Sequence, residues 1–370
     1  MKKFLKHQVN TIFIMLGNSC NLNCVYCLQH ALVHHQIATK INPDIYDFIK
    51  QVALENGNNT LTLQFFGGEP LLYFNQIKEI VKTTESISNI AYSIITNGKL
   101  IDDKMVEFFN KHDFHVSISW DGKNVLKTRH FDAFDPKQPL RRRLMRINSL
   151  GISGVISSEV YPIELLEAME EISKQYFYLH NEFCYFNLDE VFDTGLDDKC
   201  KYIIENLDLD RIYNEMTYLT NRYIETTINK KNTKGFDIKN YYIRTKIMML
   251  KKSLDTNNLV ENLISCRCGN GMCTLNLDLD GNLYQCHNVS EPVSSIYESF
   301  NNYISKIYAL DKTKERVAKR CKDCPVVYNC KGGCKLITNE VLDKSYCNFT
   351  KAMYYPILEC LQKYGEKING

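Results

Sequence analysis

Three cysteines within eight residues constrain this chain more than any other feature of its sequence. They stand at Cys20, Cys24 and Cys27, with the spacing CxxxCxxC, directly after the apolar run Thr11–Leu16. Thiolates are the soft ligands that iron–sulfur clusters select, and a closed four-iron cluster normally takes four of them. Because this loop supplies only three, it predicts a cluster with one iron left open to a ligand that is not protein.

Cysteine is the unusual part of the composition, with 15 in a chain of 370 residues. Three lie in 20–27 and nine in 266–347, whereas Cys184, Cys200 and Cys360 stand alone. A disulfide framework is typical of small secreted domains, and we find no export signal, so metal ligation is favoured. The three isolated cysteines are interpreted as buried apolar thiols.

The rest of the composition is that of an ordinary globular protein, with 44% hydrophobic and 24% charged residues. No uninterrupted run of about 18 apolar residues appears, so we expect no membrane association. The net charge of +2 gives no general electrostatic case for a nucleic-acid partner. The expected location is the cytoplasm.

Short β-rich runs alternate with amphipathic stretches in the first half of the chain. The predicted strands are Asn10–Leu16, Leu61–Phe66, Tyr92–Thr96, His115–Trp120, Gly154–Val160 and Leu179–Phe186. The predicted helices lie at about 43–56, 74–87, 101–111, 139–150 and 162–177. This alternation predicts an α/β fold with a parallel sheet covered by helices. Six units fall short of the eight that close a full barrel, so we expect a partial (β/α)6 barrel of the TIM type.

The composition divides the chain into three predicted regions. Residues 1–186 form the barrel, 187–262 a helical bridge, and 263–370 a small cysteine-rich α+β domain with a C-terminal helix. The bridge carries no motif, which favours a connecting role over a catalytic one. In the third region, the alternating run 274–280 meets Asp280-Gly281, which predicts a β-hairpin.

Gly67-Gly68-Glu69-Pro70 follows the second predicted strand. The glycines let a backbone approach a ligand closely, Glu69 offers a carboxylate, and Pro70 fixes the turn. An ordinary turn between a strand and a helix explains the same residues. The position favours a site, because barrel enzymes build their sites at the carboxyl ends of the strands, where the cysteine loop also lies.

Together these motifs resemble those of the radical S-adenosylmethionine (SAM) superfamily. The segments that carry the resemblance are Cys20–Cys27, Phe65–Pro70, Ile95–Gly98, Ser117–Gly122 and Arg129. That family uses a partial barrel of six units, which agrees with the strand count. The resemblance implies that Cys20, Cys24 and Cys27 bind a [4Fe–4S] cluster whose open iron is chelated by the methionine end of SAM.

The same resemblance implies a set of SAM contacts. The segment 67–70 receives the amino group, Tyr26 lies against the adenine, and Ser119 contacts the ribose. Asn97 and Glu159 are further candidates, placed by their positions at strand ends. The cluster and the cofactor generate a 5′-deoxyadenosyl radical, while the protein orients the radical and encloses it in a pocket that excludes water.

The cysteines of the third region resemble the SPASM extension of radical enzymes that modify peptides and proteins. A zinc ribbon is the alternative for Cys-x2-Cys pairs, and the radical motif upstream disfavours it. The SPASM pattern implies two auxiliary [4Fe–4S] clusters, and so three clusters in all. One is held by Cys321, Cys324, Cys330 and Cys347. The other is held by Cys268, Cys286 and Cys334, with Cys273, or Cys266 in its place, as the fourth ligand.

One position bears on the reaction. In the sulfatase-maturing branch of SPASM enzymes an aspartate base directly follows the cysteine that ends the hairpin, whereas His287 follows Cys286 here. A histidine with a pKa of about 6.5 is a candidate base, and a solvated or supporting role is the alternative. The departure puts formylglycine formation in doubt.

We therefore expect an enzyme that abstracts hydrogen from a residue of a ribosomally made peptide or protein. Thioether or carbon–carbon crosslinking, or oxidation assisted by the auxiliary clusters, would follow. The first alternative is a sulfatase-type maturase that makes formylglycine from Cys or Ser. The second is a non-catalytic electron-transfer or zinc-scaffold protein, which needs no cofactor pocket. Oxygen-labile clusters imply an anaerobic setting, with a flavodoxin or a ferredoxin as the reductant.

Overall fold

The computed structural model describes residues 9–31, 40–191, 205–228, 237–254, 273–310, 313–334 and 336–364. Its strands are β1 (Thr11–Met15), β2 (Leu61–Phe66), β3 (Ile90–Thr96), β4 (His115–Ser119), β5 (Leu150–Ile156), β6 (Tyr185–Glu190), β7 (Thr274–Asp278), β8 (Asn282–Tyr284) and β9 (Ser294–Ser295). They form a single sheet with the order β6-β5-β4-β3-β2-β1-β7-β8-β9. The pairs from β1 to β6 are all parallel.

Helices connect the parallel strands and continue through the second half of the chain. They are α1 (Asp44–Glu55), α2 (Phe74–Thr84), α3 (Asp103–Lys111), α4 (Val125–Thr128), α5 (Pro139–Leu144), α6 (Pro162–His180), α7 (Leu209–Ile228), α8 (Ile238–Leu254), α9 (Phe300–Leu310), α10 (Thr313–Arg320), α11 (Val327–Cys330), α12 (Asn339–Val341) and α13 (Cys347–Tyr364). A π-helical turn, Leu342–Tyr346, leads into α13. Among the described residues, no helix is both long and apolar enough to span a membrane.

The outer face of the parallel strands is apolar and lies under the helices. Leu63 and Phe65 of β2 are fully buried, as are Ile45 of α1 and Ile77 of α2. Burial of one such side chain stabilises the fold by about 1.5–3 kcal/mol. The helices therefore hold the sheet from one side.

The inner face is more polar, and β4 illustrates the alternation. Val116 and Ile118 are fully buried, whereas His115, Ser117 and Ser119 are half-buried. Successive side chains of a strand point to opposite faces, so these three polar residues lie on the side away from the helices. The inner face is thus available for a site.

The prediction of an open, parallel α/β sheet of six strand–helix units is confirmed. Four strands lie close to their predicted positions, but β5 begins at Leu150 and β6 begins at Tyr185. The predicted β5, Gly154–Val160, therefore began and ended four residues too late. A Cβ at Gly154 would come within 2.8 Å of the Trp120 carbonyl oxygen, so close strand packing explains this glycine.

The predicted β6 was wrong at its start, because its first residues belong to a helix. Leu179 is in α6, which ends at His180. Asn181 then adopts a left-handed conformation with φ 56°, a common way to end a helix. Only after this turn does the chain enter β6.

The predicted β-hairpin is confirmed, and it extends the parallel sheet. β7 and β8 are antiparallel, and Gly281 in their turn has φ 92°. β7 also pairs in parallel with β1, with Thr274 opposite Thr11. The third predicted region therefore shares a sheet with the strand that feeds the cysteine loop, and the division of the chain into three domains stays a prediction.

Cys184 and Cys360 are 3% and 6% exposed, which confirms that they are buried thiols. Cys184 precedes β6, and Cys360 is in α13. Cys200 lies outside the described residues. The isolated cysteines that the structure describes thus contribute to packing.

Candidate functional site

A cavity of about 630 Å³ lies at the carboxyl ends of the parallel strands. Pockets that bind small molecules usually measure about 300–1,000 Å³. Most of the predicted site residues line it: Cys20, Cys24, Tyr26, Cys27, Gly67, Gly68, Glu69, Asn97, Ser119, Cys286, His287 and Cys334. The cavity therefore brings the first cysteine loop together with part of the distant cysteine region.

The cavity has a loop wall and a β6 wall. The loop wall consists of Cys20, Cys24, residues 26–29 and residues 67–69. The β6 wall consists of Ser153, Val155 and residues 189–191. Ser119 lies between them at the end of β4.

The loop wall is built on a backbone ladder that continues past β1 and β2. The Gly68 amide donates to the Gly17 carbonyl at 2.7 Å, and the Glu69 amide donates to the Ser19 carbonyl at 2.8 Å. A Cβ at Gly68 would lie 2.4 Å from the Ser19 carbonyl oxygen, and one at Gly67 would lie 2.2 Å from that of Gly17. The two glycines thus permit the cysteine loop to approach the strand end closely.

The three loop thiols lie close enough to influence one another. Burial raises the pKa of the Cys24 thiol to about 11, and the neighbouring Cys20 and Cys27 add to this rise. Burial also raises the pKa of Cys20. Metal ligands must be thiolates, so binding of a metal here has to release these protons.

The donor set of the loop fits a four-iron cluster. Each thiolate of such a cluster binds a different iron, so the three sulfurs need to surround a cube and do not meet at one point. Among the residues that the structure describes, no group of three or more His, Cys, Asp or Glu side chains is arranged to hold a metal ion. Three thiols on one cavity wall, beside a carboxylate and open space, match the cluster and its non-protein ligand.

Glu69 is fully buried beside the loop thiols. Its carboxylate accepts hydrogen bonds from the Thr96 hydroxyl at 2.6 Å, from the Asn97 amide at 2.9 Å and from the Leu71 amide at 3.0 Å. Burial nevertheless raises its pKa, against the lowering effect of these donors. Pro70 begins a short 3-10 helix behind it, and this turn supplies the Leu71 donor.

Asp121 is a buried acceptor that joins four elements of the site. It is 1% exposed, and it accepts hydrogen bonds from the Tyr26 hydroxyl, from Thr128 Oγ1 at 2.7 Å and from the Val155 amide at 2.9 Å. Arg129 Nε lies 3.0 Å from its carboxylate and forms a buried ion pair. Tyr26 is thereby fixed, with the Arg129 guanidinium 5.2 Å from its ring centroid.

Asn97 and Glu159, both placed by sequence at strand ends, differ in their surroundings. Asn97 lines the cavity, and its Nδ2 donates to Asn21 Oδ1 in the cysteine loop at 2.8 Å. Glu159 is not among the residues that line the cavity, and its carboxylate lies 3.2 Å from Lys127 Nζ. Asn97 is therefore placed to contact a ligand of the cavity, whereas the cofactor role of Glu159 stays a prediction.

His287 lines the cavity and lies against two neighbouring aromatic rings. Its ring stacks on Phe13, with centroids 4.6 Å apart, and is tilted against Phe66 at 4.5 Å. Its Nδ1 lies 3.3 Å from Asn276 Oδ1. Burial lowers its pKa to about 4, so the imidazole is neutral at pH 7 and a weak base.

Gln29 connects the loop wall to the same hairpin. Its side-chain amide donates to Asn288 Oδ1 at 2.6 Å and to the His287 carbonyl at 3.3 Å. The two residues that follow Cys286 are thus held by the segment that follows Cys27.

The remaining predicted metal ligands fall into three places. Cys321, Cys324, Cys330 and Cys347 lie away from the cavity lining. Burial raises the pKa of Cys347, and Cys321 and Cys324 are close enough to contribute to the rise. Cys273 precedes β7, where its carbonyl accepts from the Asn10 amide at 2.9 Å. Cys266 and Cys268 lie outside the described residues.

The β6 wall carries carboxylates that the sequence did not single out. Asp189 accepts from Asn187 Nδ2 at 2.9 Å, and Ser153 Oγ lies 3.4 Å from its other oxygen. Glu190 pairs with Lys246 of α8, whose Nζ lies 3.4 Å from Glu190 Oε1 and 3.2 Å from the Tyr354 hydroxyl. The helical bridge and α13 therefore support this wall.

Some of these residues had a signal in the sequence. Asp121 belongs to the Ser-x-Asp-Gly pattern, in which only Ser119 was assigned a role. Asp189 follows the predicted end of the sixth strand, which was placed too early. Nothing in the local sequence marks Lys246, because its partners Glu190 and Tyr354 are far away along the chain.

Known proteins resemble this chain both in sequence and in fold. Residues 14–174 match the model of the radical SAM superfamily. The chain contains a radical SAM domain. Members of this superfamily use SAM and a [4Fe–4S] cluster, which agrees with the sequence-based expectation for the cysteine loop.

Two curated relatives differ in how much of the radical SAM chain they match. The radical SAM cyclopropyl synthase TigE of Paramaledivibacter caminithermalis is 33% identical over 132 residues, which span 32% of this chain and 28% of TigE. The cysteine-type anaerobic sulfatase-maturating enzyme of Clostridium perfringens is 22% identical over 374 residues, which span 91% of this chain and 93% of that enzyme. The match to TigE thus covers less than a third of that protein, whereas the second match includes the C-terminal region.

A solved structure extends this likeness to the fold. The native enzyme anSMEcpe with bound AdoMet and Cp18Cys peptide has a TM-score of 0.65 and 18% identity, and the match covers 97% of this chain and 98% of that one. At this identity the comparison establishes the fold alone. The open sheet and the C-terminal region of this chain are therefore arranged as in that structure.

Proposed function

We propose that this chain is a radical SAM enzyme that modifies a residue of a ribosomally made peptide or protein. The observation that carries the proposal is the shared cavity. Cys20, Cys24 and Cys27 line it from one side, and Cys286 and Cys334 line it from the C-terminal region. A cavity with both sets of thiols provides room for radical generation and for a later electron transfer in one place.

In this proposal the loop wall holds the cofactor. Cys20, Cys24 and Cys27 ligate the cluster, and bound SAM supplies a 5′-deoxyadenosyl radical on reduction by a flavodoxin or a ferredoxin. Glu69 and the backbone of residues 67–68 bind the amino group of SAM. A buried carboxylate with fixed donors favours an ammonium through charge and hydrogen bonds.

The adenosine end of SAM is held by the residues around Asp121. Tyr26 packs on the adenine, and Ser119 bonds the ribose. Because the Asp121 carboxylate fixes the Tyr26 hydroxyl and the Arg129 guanidinium, these groups need little reorganisation when SAM binds. The fixed pocket aims the radical at one C–H bond of the substrate and excludes water.

The cysteine-rich C-terminal region is proposed to hold two auxiliary clusters. The proximity of Cys321, Cys324 and Cys347 supports the first ligand set. Cys286 and Cys334 on the cavity wall support the second, with Cys268 and either Cys273 or Cys266 as the other ligands. Their role is to accept the electron that leaves the substrate when it is crosslinked or oxidised.

Formylglycine formation from Cys or Ser is the second candidate reaction. It is favoured by the likeness to a sulfatase-maturating enzyme over 91% of the chain and by a solved neighbour with a bound Cys-containing peptide. His287 stands against it, since this residue occupies the position of the aspartate base and is a weak base in its aromatic surroundings. The product separates the two reactions.

The experiment is anaerobic reconstitution followed by two assays. The first measures 5′-deoxyadenosine from SAM and dithionite, with Cys24→Ala as the control. The second incubates the enzyme with peptides that contain Cys or Ser and measures their mass. Loss of two hydrogen atoms with a crosslink in the fragment spectrum supports the leading reaction, and an aldehyde trapped by a hydrazine supports formylglycine. No 5′-deoxyadenosine above the control would overturn both, and would leave the non-catalytic electron-transfer or zinc-scaffold alternative.

A further inference from the structure

We propose that Asp189 is a catalytic residue that accepts the side-chain proton of the substrate residue, an inference that rests on the proposed function. Asp189 lies on the β6 wall, on the opposite side of Ser119 from the thiols of the loop wall. It belongs to β6, so its backbone is fixed by pairing with β5, where Val155 lies opposite it. A residue on a paired strand can hold a proton acceptor in one position.

The side chain of Asp189 faces the cavity and not the helices. Its register partner Val155 also lines the cavity, whereas the preceding residue, Leu188, is buried at 6% exposure. Asp189 has the opposite direction in the strand, lines the cavity and is exposed. A ligand in the cavity can therefore reach its carboxylate.

The other carboxylates of the cavity are already engaged. Glu69 accepts three hydrogen bonds and is fully buried. Glu190 is paired with Lys246. Asp189 has a bond of 2.9 Å from Asn187 and a long one of 3.4 Å from Ser153, and it is part of no ion pair in the described part of the chain. It is thus the cavity carboxylate with the most remaining capacity to accept.

The surroundings of Asp189 suit a proton acceptor. Partial desolvation by the surrounding cavity wall raises its pKa, the negative charge of Glu190 adds to the rise, and Asn187, Lys246 and Ser153 oppose it. A carboxylate with a raised pKa is a stronger base than an ordinary aspartate. His287, by contrast, stacks on Phe13 and lies against Phe66, and its Nδ1 faces Asn276.

The proposed step is a simple proton transfer. The S–H bond of a substrate cysteine, or the O–H bond of a serine, breaks, and a new O–H bond forms on Asp189. The electron pair stays on the sulfur or the oxygen of the substrate. No electron leaves in this step, so it needs no oxidant, and the substrate then carries the charge that favours its later one-electron oxidation.

Asp189→Asn tests this role, since asparagine keeps the shape and the acceptor for Asn187 but cannot take a proton. Glu182→Gln is the matched control, because Glu182 is exposed and is not part of the cavity lining. The wild type and both variants are reconstituted anaerobically with SAM and dithionite. The probe is a pool of synthetic peptides with one Cys or one Ser each, including the Cp18Cys peptide.

Two readouts are compared: 5′-deoxyadenosine formed without peptide, and modified peptide. We expect Asp189→Asn to lower the rate of peptide modification by about 10²–10⁴-fold, as for loss of a general base, with the peptide-free yield of 5′-deoxyadenosine unchanged. Asp189→Glu is expected to restore part of the rate, and Glu182→Gln to match the wild type.

Other outcomes overturn the inference in distinguishable ways. If Asp189→Asn modifies peptides as fast as the wild type, Asp189 takes no proton. If it also loses 5′-deoxyadenosine, it serves cofactor binding or folding. If the wild type forms 5′-deoxyadenosine but modifies no peptide in the pool, the proposed function itself fails, and the inference fails with it.

Discussion

The loop wall and the β6 wall of the cavity differ in how far their polar groups are satisfied by the protein. On the loop wall, Glu69 has three hydrogen-bond donors within 3.0 Å. On the β6 wall, Asp189 has one short bond and one long one. A wall whose polar groups are already hydrogen-bonded before binding suits a cofactor that is the same in every turnover. A wall whose acceptors still have hydrogen-bonding capacity suits a substrate.

This difference leads to a division of effects between the two walls. Substitutions on the loop wall are expected to reduce SAM cleavage and peptide modification together, because both need the radical. Substitutions on the β6 wall, or at the auxiliary cysteines, are expected to reduce peptide modification alone. Substitutions of Cys24, Cys321 and Glu69 test this division.

Cys24→Ala is expected to have the largest effect. Cys24 lines the loop wall, and a cluster with only two protein thiolates does not persist. We expect 5′-deoxyadenosine to fall to the level without enzyme and iron to fall by about four per chain. A full yield of 5′-deoxyadenosine in this variant would show that the cysteine loop does not hold the cluster that cleaves SAM.

Cys321→Ala is expected to abolish peptide modification but keep peptide-free SAM cleavage. Cys321 lies outside the cavity lining and close to Cys347. Iron is expected to fall from about twelve to about eight per chain if the first auxiliary cluster is lost. Cys184→Ala is the control, since Cys184 is a buried isolated thiol and its removal should leave the iron content unchanged. Equal iron in both variants would contradict the first auxiliary ligand set.

Glu69→Gln is expected to weaken SAM binding by about 10–100-fold, because a charged hydrogen-bond partner is worth about 1.5–3 kcal/mol. The measurement is the SAM concentration that gives half-maximal change in the electron paramagnetic resonance spectrum of the reduced cluster. Glu159→Gln is the matched control and should leave this value unchanged, since Glu159 pairs with Lys127 away from the cavity lining. An effect of Glu159→Gln as large as that of Glu69→Gln would restore the cofactor role for Glu159.

Tyr26→Phe is expected to have the smallest effect. It removes one donor from Asp121, which keeps its bonds from Thr128, Val155 and Arg129. The free energy of unfolding should fall by about 1–2 kcal/mol in urea, near the lower range for bonds to charged groups. Tyr46→Phe removes an exposed bond to Glu79 and should change stability by less than about 0.5 kcal/mol. An equal loss in the free energy of unfolding in the two variants would show that the Tyr26 bond to Asp121 stabilises the fold no more than an exposed bond does.

Much of the loop wall could be predicted from the sequence, because its residues are contiguous. Cys20–Cys27 and Gly67–Glu69 each form a short motif, and the ends of adjacent parallel strands bring them together. The chemistry of thiolates and the position of the motifs in the barrel were sufficient for this part of the site.

The β6 wall could not be predicted in this way. Asp189 lies in a strand whose start the sequence pattern placed too early, since Leu179 continues α6. Lys246 pairs with Glu190 across a gap of 56 residues and donates to Tyr354 across a gap of 108 residues, and no local pattern reports contacts this distant. The surroundings of His287 depended on Phe13 of β1, which a parallel pairing of β7 with β1 brings near.

The proposed reaction requires this cavity to deliver a SAM-derived radical to a residue of a peptide. Incubating the enzyme, SAM and dithionite with Cys- or Ser-containing peptides deuterated at their carbon-bound positions, and measuring deuterium in 5′-deoxyadenosine, tests this requirement. The account predicts transfer of one deuterium, which Cys24→Ala abolishes. Formation of modified peptide with unlabelled 5′-deoxyadenosine would place the abstracted hydrogen elsewhere, and labelled peptide that is neither consumed nor a source of deuterium would contradict the account.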